Sequence, residues 1–159
     1  MSKSDDPDGG RAGDGFDLQS FLPYLLNQAA EESSLAFQQV YRERYGMLRT
    51  EWRVLFHLGI YGRMTATEIG ARAKMHKTKI SRAVARLEER RFLKRTRRED
   101  DRRHEVLELT TAGEAAYREL RQVARDYDAR LAARLAPEEE QVLRRALRRL
   151  AAGAADPAP

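Results

Sequence analysis

The stretch from Thr65 to Leu109 restricts the fold more than any other part of the chain, because its periodicity changes in a fixed order. Thr65-Ala-Thr-Glu68 has the form of a capping box, in which hydroxyl and carboxylate satisfy each other's backbone N–H groups, and it predicts a short helix ending near Ala73. A break at Lys74-Met-His76 follows. From His76 to Arg90 a second helix is expected: Ile80, Val84 and Leu87 are spaced four and three apart and share one face, while Lys79, Arg82, Arg86 and Arg90 share another. Phe92 to Thr96 and His104 to Leu109 read as two short strands around Arg97-Arg-Glu-Asp-Asp-Arg-Arg103. That tip lacks the Asn-Gly or Asp-Gly of a two-residue turn, so a longer loop is expected. In such an arrangement the first helix anchors the second, whose N-terminal residues reach base edges in a major groove, an opening of about helix width.

Charge points the same way. From Lys74 to Arg103 there are thirteen Lys and Arg against five Asp and Glu, a net of +8, whereas the whole chain carries +5. The remainder therefore sums to −3, and positive charge is concentrated on one segment, as expected of a surface that meets phosphates. With no cysteine there is no disulfide framework, thiolate metal site or thiol nucleophile, and three scattered histidines (His57, His76, His104) give no basis for a metal cluster. No nucleophile elbow, phosphate loop or paired acid and base is evident, so an enzyme is not expected and no cofactor is implied. Neither a run of eighteen apolar residues nor a charged start followed by an apolar core is present, which predicts a cytoplasmic protein without a membrane span or signal peptide.

The flanks read as helices. Residues 1–15 are rich in Gly, Asp and Ser and cannot repay the entropy of ordering, so they are expected to be a disordered tail, and 153–159 a frayed one. Leu22, Leu25, Leu26, Ala29, Ala36, Phe37 and Val40 keep a helical period up to Tyr45, where Gly46 supplies a stop; Ser20 is the expected N-cap, with Pro23 in the first turn. A second helix should begin near Thr50 and end at Gly62. After the strands, Thr111-Ala-Gly-Glu114 offers another capping box. It opens a helix whose Tyr117, Leu120, Ala124, Tyr127, Leu131 and Leu135 form a heptad-like seam, suited either to a partner or to the chain's own core. Pro137 and the three glutamates after it start a terminal helix with Leu143, Leu147 and Leu150 on one face.

Met75-His-Lys-Thr-Lys-Ile-Ser-Arg-Ala-Val-Ala-Arg-Leu-Glu-Glu-Arg-Arg-Phe-Leu-Lys-Arg95, with Asp101-Arg-Arg103 and Val106-Leu-Glu-Leu-Thr-Thr-Ala-Gly113, resembles the MarR family of winged-helix transcriptional regulators. The resemblance extends as an ordered set of elements over Phe21 to Leu150. It implies a mainly α fold with a small β-wing: a winged helix-turn-helix lobe (49–110), a dimerisation helix before it (16–48) and C-terminal dimerisation helices after it (111–152). Implied partners are double-stranded DNA with a pseudo-palindromic operator and a second copy of the chain. The resemblance puts Lys77, Thr78, Lys79, Ser81, Arg82 and Arg86 on the recognition helix. It makes Arg103 the wing residue that enters the minor groove, held by Asp101, with Arg97, Arg98 and Arg102 as phosphate contacts. It further implies an effector crevice, often for phenolic or aromatic carboxylates, for which Tyr24, Asn27, Gln28, Tyr41, Trp52, Arg53, His57 and Tyr61 are the candidates. Two positions depart from the family pattern. Arg91 stands where Gly is usual after the recognition helix, and Ala136 where Ser or Thr usually caps the last helix. The expected function is a dimeric repressor relieved by a small effector; the alternative is a non-specific architectural DNA-binding protein that responds to no ligand.

Overall fold

The computed structural model describes residues 15–97, 99–100 and 104–153. Its elements are α1 (Leu22–Tyr45), α2 (Arg49–Tyr61), β1 (Met64–Thr65), α3 (Ala66–Ala73), α4 (Lys77–Glu89), β2 (Leu93–Arg97), β3 (Glu105–Leu109), α5 (Thr111–Ala132) and α6 (Pro137–Ala151). The fold is mainly α with a small antiparallel sheet, of the winged-helix type. The strands run in the order β1-β3-β2, with Met64 opposite Leu107 and Leu93 opposite Leu109. β1 was not expected from the sequence: two residues are too few to show alternation, and Thr65 also serves as the N-cap of α3. The tail expectations for 1–14 and 154–159 lie outside the described residues.

By contacts the chain divides into two compact units, Met1–Leu35 and Ala36–Pro159. In the first, Ser20 is not the cap of α1. It sits inside a 3-10 turn (Leu18–Ser20) closed by Asp17, whose carboxylate accepts from the Gln19 N–H at 3.0 Å and from the Ser20 hydroxyl. The stronger acceptor three residues upstream captures the Gln19 N–H and the Ser20 hydroxyl. α1 then starts at Leu22, and Phe16, Leu18, Phe21, Leu22 and Leu25 stay exposed.

The second unit holds the core. Val54, Leu55 and Leu58 of α2, Ile69 of α3, Ile80, Val84 and Leu87 of α4, Leu93 and Leu107 of the sheet, and Leu120 of α5 are each 2% exposed or less. The first half of the α5 seam, Tyr117 and Leu120, is thus part of this chain's own core, with Ala124 and Tyr127 packed at its edge. α5 begins one residue earlier than the Thr111 box implies, because Thr110 is the N-cap and its hydroxyl accepts from Gly113 N–H at 3.1 Å. Gly113 is obligatory there: a Cβ would lie 1.9 Å from the Phe92 carbonyl oxygen. α6 is different, since none of its residues is buried and Val142, Leu143, Leu147 and Leu150 are all exposed. Its N-cap, Ala136, makes no side-chain cap bond, and the Glu139 carboxylate instead accepts from the Ala136 N–H at 2.8 Å.

Candidate nucleic-acid interface

The helix-turn-helix is assembled from local bonds. Thr65 Oγ1 accepts from Glu68 N–H at 3.2 Å while the Glu68 carboxylate accepts from Thr65 N–H at 2.8 Å, the reciprocal cap that the sequence predicts. α3 ends on Lys74 in the left-handed region at φ 50°, and its N–H donates to Gly70 O. Gly70 admits the second helix, because a Cβ there would lie 2.7 Å from Ile80 Cδ1. His76 then caps α4, its Nδ1 accepting from Thr78 N–H at 3.3 Å.

α4 turns Ile80, Ala83, Val84 and Leu87 into the core and leaves Lys77, Thr78, Lys79, Ser81, Arg82 and Arg86 exposed. Five cations elsewhere on this unit are paired with acids: Arg44 with Glu119, Arg63 and Lys94 with Glu108, Arg95 with Glu88 and Glu105, and Arg144 with Asp128 and Glu140. Lys77, Lys79, Arg82 and Arg86 make no ion pair with any described residue. A row of exposed cations left without acids is a surface built for an external anion.

The wing follows a tight turn in which Arg91 adopts φ 62°, so a non-glycine residue accepts the left-handed conformation; its carbonyl is held by the Thr110 hydroxyl at 2.6 Å. Arg95 of β2 reaches back to Glu88 of α4 at 2.7 Å and across to Glu105 of β3 at 3.0 Å, joining recognition helix and both wing strands through one guanidinium. Sequence reasoning missed this residue. Arg97 closes β2 and is exposed, whereas Arg98, Asp101, Arg102 and Arg103 lie outside the described residues.

The effector candidates separate into groups. Tyr41 is 1% exposed and Trp52 half-buried, and both belong to a cluster of rings with Phe37 at centroid distances of 5.3 Å. Arg53, His57 and Tyr61 recur every four residues on α2 and share a face. The Arg53 guanidinium donates to Ala73 O, and burial, then the Arg49 cation, pulls its pKa below the ordinary arginine value. His57 Nδ1 lies 2.6 Å from Arg53 O, which requires the proton on that nitrogen. Arg72 of α3 stands 4.2 Å over the Tyr61 ring, a cation–π contact between two helices that no local pattern signals. Tyr24 is half-buried, and Asn27 and Gln28 are exposed, in the N-terminal unit.

Residues 45–104 match the sequence profile of the MarR family. Among solved structures, the MarR family transcriptional regulator SPO1453 from Silicibacter pomeroyi DSS-3 is 30% identical, with 85% of this chain and 98% of that one covered at a TM-score of 0.72. Two further structures share the fold at lower identity. A mutant MarR from E. coli complexed with operator DNA is 20% identical over 87% of this chain and 99% of its own, TM-score 0.76. The PcaV regulator from Streptomyces coelicolor, in complex with its natural ligand, is 22% identical over 89% and 99%, TM-score 0.75.

Proposed function

Because this chain belongs to the MarR family of transcriptional regulators, we propose that it is a dimeric, sequence-specific repressor that leaves its operator when a small aromatic or phenolic effector binds. It is a regulator and not an enzyme. The observation that carries the DNA-binding part of this reading is the exposed face of α4, whose four cations have no acid partner among the described residues. Lys79 and Arg82 read guanine O6 and N7, Thr78 and Ser81 serve a base edge or phosphate, and Lys77, Arg86, Arg97, Arg98 and Arg102 bind phosphates. Arg103, braced by Asp101, enters the minor groove.

Dimerisation, assigned to 16–48 and 111–152, is supported by exposed apolar rows in both regions, Phe16 to Leu25 and Val142 to Leu150. The effector reading is supported by half-buried Arg53 and His57 beside exposed Tyr61 and Arg72, cations and rings suited to an aromatic acid, and by the natural ligand that the structurally similar PcaV holds. The test is a footprint on the intergenic DNA beside the protein's own gene, repeated with Arg103→Ala and with a panel of aromatic acids. A protected palindrome lost in the variant and released by an acid supports the reading. Equal affinity for random DNA overturns it in favour of a non-specific architectural role.

A further inference from the structure

We infer that the groove between the first turn of α2 and the exposed face of α4 seats a sugar–phosphate segment of one DNA strand, with Thr50 as a phosphate ligand. The groove has a volume of about 550 Å³ and is lined by Leu48, Thr50, Lys79, Arg82, Ala83, Ala85 and Arg86. Three cations and no acid line it, and none of the three is paired with a described residue, so the groove complements an anion. Its remaining wall is apolar: Leu48 is 42% exposed and lies beside two alanines. A cationic rim over an apolar floor suits a ligand with charge and C–H surface side by side, as phosphate and deoxyribose are along a strand. Thr50 is half-buried and its hydroxyl makes no hydrogen bond with a described residue, which leaves it free to donate. The inference rests on the reading of α4 as a DNA-binding helix and extends the contact to a helix outside the helix-turn-helix.

Thr50→Glu separates fold from binding. Position 50 is the second residue of α2, where an acid favours the positive end of the helix dipole, so thermal stability holds or rises. In the groove the same carboxylate repels phosphate, and affinity falls roughly tenfold to thirtyfold on both the upstream DNA and a random duplex, their ratio unchanged. Thr50→Val, which keeps the shape and removes the hydroxyl, weakens both duplexes about threefold to tenfold and decides alone if the glutamate variant does not fold. Wild-type affinity in the folded variants, with Arg82→Ala weakened beside them, overturns the inference. Loss of preference for the upstream site by the wild-type chain overturns the repressor reading instead, and the random duplex still reports on the groove.

Discussion

Arg91 holds a left-handed backbone at φ 62° that an L side chain adopts at a cost of about 1 kcal/mol. Only its backbone is needed for the turn: its N–H donates to Glu88 O at 2.9 Å and its carbonyl accepts from Thr110. Arg91→Gly is therefore expected to raise the melting temperature by about 2–4 °C, and a drop would show that the side chain itself holds the turn. Tyr45 offers a second residue-level test. Burial, and after it the hydrogen bond to Glu119, pushes its phenol up to about 12. A raised folded pKa means stability present below the unfolded value of 10.0 and lost as pH rises toward 12. Tyr45→Phe should flatten the decline in unfolding free energy between those limits, measured by denaturant titration; an unchanged slope would exclude Tyr45 as its source.

At the scale of elements, what was legible in the sequence was whatever depended on near neighbours. α4 is readable because Ile80, Val84 and Leu87 repeat at helical spacing with cations opposite, and the α3 cap because Thr65 and Glu68 satisfy each other. Caps slipped where two acceptors compete a residue or more apart, Asp17 against Ser20 and Thr110 against Thr111. Contacts made in space left no trace: Arg72 over Tyr61, Thr50 in the groove and Arg95 between Glu88 and Glu105 join residues whose proximity no periodicity encodes. Arg95 fixes the wing against the recognition helix. Its pairs are solvent-accessible and contribute less than about 1 kcal/mol each, so Arg95→Ala should leave the melting temperature within about 3 °C of wild type. Operator affinity should nonetheless fall about fivefold, as the wing loses its fixed angle and must be ordered on binding. The slope of affinity against salt separates positioning from contact: unchanged if Arg95 orients the wing, shallower by about 1 if it touches a phosphate.

Over the whole chain, charge and apolar surface are segregated, and the two make different demands. The basic segment from Lys74 to Arg103 carries +8 and the rest of the chain −3, so attraction to DNA resides in the winged helix-turn-helix. One such lobe makes few phosphate contacts, and specific affinity of the usual strength requires two lobes at a fixed spacing. The surface available to set that spacing includes α6, which buries none of its residues and exposes Val142, Leu143, Leu147 and Leu150. A helix of 15 residues with no buried side chain is not held by its own chain's core, and its apolar face is stabilised only when another surface covers it. Leu143→Glu combined with Leu147→Glu places two carboxylates in that face without touching the lobe. The mass in solution, measured by light scattering, should fall from dimer to monomer, and affinity for a palindromic site should drop by roughly a hundredfold or more as the two half-sites cease to act together. Affinity for a single half-site should stay as it was, because α4 and the wing are intact. A variant that remains dimeric would move the interface away from α6, and a monomer that binds the full palindrome undiminished would show that the two lobes never acted as one.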